Sequence, residues 1–161
     1  MLVASSCVIV ACQKENSAET ATLKIRMTDA PASYDEVNVD IQEVRVNLSD
    51  DSAGWISLPT ITGVYNLLGL QNGVDTLIAQ GNVPMGTVKE IRFVLGDSNS
   101  IVVNGQSHPL TIPSGGSSGL KIKVNKKIAT SLDSLLVDFD AALSVKEQNG
   151  NYKLMPVLKL K

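Results

Sequence analysis

Beyond position 12 the chain has no cysteine, because both of its cysteines, Cys7 and Cys12, lie in the leading peptide. No disulfide can staple residues 13–161, and no thiol nucleophile is left there. Histidine is almost missing as well. His108 stands alone, so multi-histidine metal centres and Ser-His-Asp schemes are poorly supplied, and no serine sits in a Gly-x-Ser-x-Gly elbow. Aromatic residues amount to 4%, and most of them are needed in a core. Neither sign of charge dominates: 14 Lys+Arg against 16 Asp+Glu give a net charge of −2, which argues against a nucleic-acid partner. No apolar run reaches the roughly 18 residues of a spanning helix. No Asp-x-Asp-x-Asp-Gly loop with a distal Glu signals an EF-hand. What remains is 161 residues with 43% hydrophobic content, enough for one domain with its own core.

Residues 1–12 read as an address. Met1 to Ala11 is apolar and small, too short to span a bilayer and suited to the h-region of an export signal. Ile9-Val10-Ala11-Cys12 resembles a bacterial lipobox, in which a small residue precedes the cut and the cysteine thiol takes a diacylglycerol. Two or three acyl chains, at about 0.8 kcal/mol per buried methylene, hold a protein firmly on a membrane. Cys12 is therefore the expected lipid-attachment residue. The segment lacks the Lys or Arg that opens such signals, so the start is expected upstream of Met1. The competing reading makes Cys7 and Cys12 buried apolar cysteines of an N-terminal strand. Residues 13–20 form a polar tether, and Gln13-Lys14-Glu15 after the cysteine matches a short charged signal for the outer face of the outer membrane.

From position 21 to 161 the sequence reads as a single domain of strands. Leu23, Ile25 and Met27 alternate with Lys24 and Arg26, the period of a half-buried strand, and Asp29-Ala30-Pro31 stops it. Val37, Val39 and Ile41 define one apolar face, and Val44, Val46 and Leu48 continue it on the other parity. A bulge at Gln42-Glu43 would keep both halves facing one core. Asn104-Gly105 and Asn149-Gly150 are two-residue hairpin turns. Ser114 to Gly119 is a flexible loop. Val64 to Gln80 is ambiguous between strand and helix, with Asp75 as a candidate cap for a turn carrying Leu77 and Ile78. Leu135, Val137, Phe139, Ala141, Leu143 and Val145 read as one inward-facing run, and Pro156 marks the last strand as edge or bulged. The pattern predicts an all-β fold, an Ig-like or Greek-key antiparallel sandwich of about 8–10 short strands with at most one short helix.

Several blocks, in order, are similar to the domain-of-unknown-function 4382 family of bacterial lipoproteins. They are Thr28-Asp29-Ala30-Pro31, Val37-Asn38-Val39-Asp40-Ile41, Trp55 with Leu58, Tyr65-Asn66-Leu67-Leu68, Ile91-Arg92-Phe93, Val137-Asp138-Phe139-Asp140 and Pro156-Val157. The likeness spans residues 21–158. It implies an extracytoplasmic β-sandwich and no established activity.

Four residues are candidates for binding: Asp29, Trp55, Asp138 and Asp140. Asp138 and Asp140 stand two apart on one strand, about 6–7 Å from each other, and need compensation. Calcium is one form of it. A lysine or arginine is the other, with Lys24, Arg26, Lys121 and Lys123 as partners. Asp29 is expected to accept backbone N–H groups in an Asx-turn, with ligand binding as the minority role. Trp55 reads first as a core tryptophan; the alternative is a platform, with Tyr152, for a sugar ring. His108, beside Pro109, is expected in an exposed loop. From Lys121 onward the chain is lysine-rich, which pairs with the acidic 29–51 segment or touches anionic glycans or lipid head groups. The leading expectation is a lipid-anchored binding or adhesion module of the cell envelope, non-catalytic, with a glycan or a surface protein as partner. A structural or assembly subunit using an edge strand is the alternative; a calcium- or carboxylate-dependent hydrolase is the third.

Overall fold

The computed structural model describes residues 19–49, 54–113 and 119–161. Cys7, Cys12, most of the expected tether, residues 50–53 and most of the loop expected at Ser114 to Gly119 lie outside the described residues.

The first strand, β1 (Thr20–Thr28), buries Ala21, Leu23, Ile25 and Met27 on one face, as its alternation predicts. β2 (Glu36–Asn47) is the longest strand, at 12 residues. Ile41 pairs with Leu95 and Glu43 with Val94, so Gln42 is the extra residue of a bulge. The phase slip is absorbed there, and Val37, Val39, Ile41, Val44 and Val46 all reach 0% exposure. Then follow β3 (Trp55–Leu58), β4 (Gly63–Asn66), a 3-10 turn (Leu67–Leu70), β5 (Thr76–Pro84), β6 (Gly86–Leu95), β7 (Ser100–Val103), β8 (Gln106–Thr111), β9 (Leu120–Ile128) and β10 (Leu132–Phe139). A four-residue helix α1 (Ala141–Ser144), β11 (Val145–Gln148), β12 (Asn151–Leu154) and β13 (Leu158–Leu160) complete the chain.

Two sheets enclose one core. The smaller has the order β13-β10-β1-β5; the larger runs β11-β12-β8-β7-β2-β6-β9, with β3 and β4 on the free edge of β2. Leu23, Ile25, Val137 and Phe139 from the first join Val39, Val44, Ile91 and Phe93 from the second in a single buried cluster. Both phenylalanines are fully buried. The turns at Asn104-Gly105 and Asn149-Gly150 hold positive φ at both residues (51° and 74°, 53° and 75°), the geometry of a type I′ hairpin.

The all-β sandwich is as expected, with corrections of detail. The sheets are mixed, because β1 pairs parallel with β10 and β8 parallel with β12. Among the described residues thirteen strands replace the expected eight to ten, since the ambiguous middle and the C-terminal run each divide. The inward run from Leu135 ends at Phe139: α1 intervenes and leaves Leu143 46% exposed. Leu77 and Ile78 belong to β5, while the helical turn falls at Leu67–Leu70, where the Asn66 side chain accepts from Leu68 N at 3.1 Å. The last strand, β13, is an edge strand as expected, but Pro156 lies before it and not within it. The proline separates β12 in the larger sheet from β13 in the smaller.

Candidate functional site

A cleft of about 410 Å³ opens where β8 meets the β11–β12 hairpin. A proline stands at its edge. Leu110 N donates to Asn99 O at 2.9 Å on the β7 side, so the nitrogen of Pro109 faces β12, where it has no hydrogen to give. The parallel ladder between β8 and β12 consists of two residue pairs, Leu110 with Tyr152 and Thr111 with Lys153. Beyond them the strands part. The hairpin turn at Asn149-Gly150 stands opposite His108 across the gap, and both lie on its walls.

The rings of His108 and Tyr152 meet with centroids 5.1 Å apart and planes inclined at 50°, a tilted aromatic contact. His108 is therefore a half-buried strand residue paired with Ile101, not an exposed loop residue. Polar groups also line the cleft. Lys153 Nζ donates to Gln148 Oε1 at 2.7 Å, Thr111 Oγ1 to Tyr152 O at 3.3 Å and Asn151 Nδ2 to Asn149 O at 3.3 Å. A cleft that offers two aromatic rings together with amides, a hydroxyl and an ammonium suits a polyhydroxylated ligand. Sequence reading raised Tyr152 for stacking but missed His108, whose neighbour across β12 is set by a long-range parallel pairing.

The three aspartates come together elsewhere, at the C-terminal ends of β1 and β10. Asp29 is 3% exposed. Its Oδ1 accepts from Ala141 N at 2.8 Å and its Oδ2 from Gln71 Nε2 at 3.2 Å. It thus accepts a backbone N–H as expected, but from 112 residues away. Burial pushes the Asp29 carboxyl above the usual carboxylate range, the charge of Asp138 adds to this, and the Ala141 and Gln71 donors oppose it. Asp140 caps α1 by accepting from Leu143 N at 3.0 Å. Lys161 Nζ lies 3.2 Å from Asp138 Oδ2, and Lys159 Nζ 3.5 Å from Asp140 Oδ2. The cationic partners are these β13-side lysines and not Lys24, Arg26, Lys121 or Lys123; Arg26 pairs instead with Asp75. Among the described residues no group of three or more His, Cys, Asp or Glu side chains is arranged to hold a metal ion. The arrangement works as a clamp, tying β1 to α1 and β10 to the C-terminal strand.

Trp55 is separate from both. Leu58 points into the core at 3% exposure, and Trp55, three residues away, points outward. The core role expected for it is therefore wrong. The Arg92 guanidinium carbon lies 4.2 Å from the centre of its ring, a cation–π contact. Candidates Asp29, Asp138 and Asp140 are thus gathered by the fold, while Trp55 stands on another surface.

Residues 20–156 match a protein family described as Domain of unknown function (DUF4382). No curated protein and no solved structure matches the chain.

Proposed function

The chain belongs to the DUF4382 family, and we propose that it is a lipid-anchored β-sandwich of the bacterial cell envelope, a non-catalytic module that binds glycans in the cleft between β8 and β12. The observation that carries this reading is the paired His108 and Tyr152 rings beside Thr111, Gln148, Asn149 and Lys153, in a cleft of about 410 Å³. That volume falls within the roughly 300–1,000 Å³ of small-ligand sites. The lipobox at Ile9 to Cys12 supports the anchor and the charged residues after Cys12 support the outer membrane. The tether then gives the sandwich reach away from the lipid.

A glycan array followed by calorimetry tests the cleft. Wild type is expected to select a set of neutral oligosaccharides, and Tyr152→Ala to lose that binding by tenfold or more, equivalent to about 1.4 kcal/mol. Equal binding by both proteins would remove the cleft from the proposal. Labelled palmitate should enter wild type and not Cys12→Ser; equal labelling would show that Cys12 is not the attachment point.

A further inference from the structure

The outward face of the larger sheet carries an arrangement that the cleft leaves unexplained. Arg45 lies opposite Ser57 across one edge of β2 and opposite Arg92 across the other, and Arg92 lies opposite Lys121 on β9. Residues in register share a face, and neighbouring strands are about 4.8 Å apart. Three cations therefore form one row across three strands. Like charges set directly opposite one another destabilise a sheet unless something compensates. Glu43 compensates Arg45 directly: its carboxylate accepts from Arg45 Nη2 at 2.6 Å and from Ser57 Oγ at 2.5 Å. Arg45 and Ser57 hold its pKa below the ordinary 4.5.

Arg92 has no such hydrogen-bonded partner, although its charge also helps to hold the Glu43 pKa down. Among the described residues no carboxylate forms an ion pair with it, and its buried Nε has no acceptor; the Nε of Arg45 is likewise unpaired. The guanidinium is instead laid over Trp55 at 4.2 Å, and the Lys121 ammonium lies 5.8 Å from the same ring. A guanidinium fixed on an indole keeps its planar fork in place for a bidentate oxyanion, with little side-chain entropy left to lose. Next in the row beyond Arg92, the exposed Lys121 widens the positive strip toward the edge of the sheet.

We infer that this Arg45–Arg92–Lys121 row, with Trp55 beneath it, binds the carboxylate or sulfate groups of an acidic polysaccharide. The inference rests on the reading of the chain as a glycan-binding module but uses a different surface. A nucleic acid is disfavoured by the net charge of −2 and by the single tryptophan, since single-stranded nucleic acids are held by several stacking aromatics in a strongly basic groove.

Calorimetry on the full chain decides it, with polygalacturonate for carboxylates, dextran sulfate for sulfates and unmodified dextran as the neutral control. Wild type should bind at least one acidic polymer, more weakly as salt rises, and should bind dextran at least tenfold less well. Arg92→Gln should weaken the acidic polymer about tenfold, Lys121→Gln should weaken it several-fold, and Lys24→Gln, on β1 of the other sheet, should leave it unchanged. Lys121 is an exposed strand residue, so its variant carries the test should Arg92→Gln fail to fold. Acidic-polymer binding that is unaltered in both cation variants overturns the inference. So does equal binding of single-stranded DNA or phosphatidylglycerol vesicles with the same dependence on Arg92 and Lys121. Loss of neutral-glycan binding in Tyr152→Ala bears on the cleft alone, so the two proposals fail independently.

Discussion

Asp29 shows how one carboxyl can be both structural and costly. It is 3% exposed and holds Ala141 N at 2.8 Å, yet burial raises its pKa above the ordinary 3.8, and Asp138 adds to the rise. A carboxyl whose folded pKa exceeds its unfolded one binds its proton more tightly when folded. Its contribution is complete below the ordinary value and is lost as pH climbs through the raised one. Asn at this position keeps an acceptor for Ala141 and cannot ionise. Asp29→Asn is therefore expected to gain melting temperature on wild type as pH rises from about 4 to neutrality, the gap closing at the acidic end; a gap independent of pH would contradict the burial argument. Asp138 is a second case. It is 5% exposed, its Oδ1 has no partner, and its Oδ2 lies 3.2 Å from Lys161. Lys161→Met removes that neutralising charge, and a loss of about 1 kcal/mol is expected because the lysine itself is half exposed. Adding Asp138→Asn should restore most of it, and chemical denaturation of the two singles and the double measures the coupling.

At the scale of the elements, Pro109 withholds a donor where β8 and β12 part, so its replacement is expected to lengthen their ladder. Pro109→Thr supplies an N–H toward β12, and about 0.5–1.5 kcal/mol of added stability is expected together with weaker glycan binding. Tighter or unchanged binding would show that the cleft does not depend on the missing donor. Such elements were legible in the sequence to different degrees. The bulge at Gln42 could be read because parity of burial is a local property: Ile41 and Val44 face one core only if a residue is inserted between them. The Asn-Gly turns could be read because positive φ restricts residue type. The inward run through Leu143 misled because Ala141, Leu143 and Val145 keep strand parity, although Asp140 before them is a helix cap. Trp55 misled through its size, when its separation from Leu58 by an odd number of residues already set it on the opposite face. The cleft and the lysine partners of Asp138 and Asp140 were not legible, since both depend on pairings between distant strands.

On the scale of the whole molecule, the smaller sheet draws its strands from every part of the chain. β1 lies between β5 and β10, and β13 closes the outer edge of β10. Sheet order of this kind follows from which distant faces fit, and no local pattern announces it, so sandwich class was legible and parallel pairing was not. It also ties folding together. β1 cannot complete its ladders until Leu132–Phe139 is in place, so neither half of the chain has a finished core alone, and the many non-local pairings make folding slow. Trp55, the single tryptophan, lies on the larger sheet and reports from outside the β1–β10 ladder. If the two sheets form one cooperative unit, Trp55 fluorescence and far-ultraviolet circular dichroism should give the same urea midpoint, and Phe139→Ala in the smaller sheet should shift both midpoints equally. A buried phenylalanine truncation costs about 3–5 kcal/mol, enough to resolve the comparison. Midpoints that separate, or a fluorescence transition unmoved by Phe139→Ala, would mean that the larger sheet holds its structure without the smaller one.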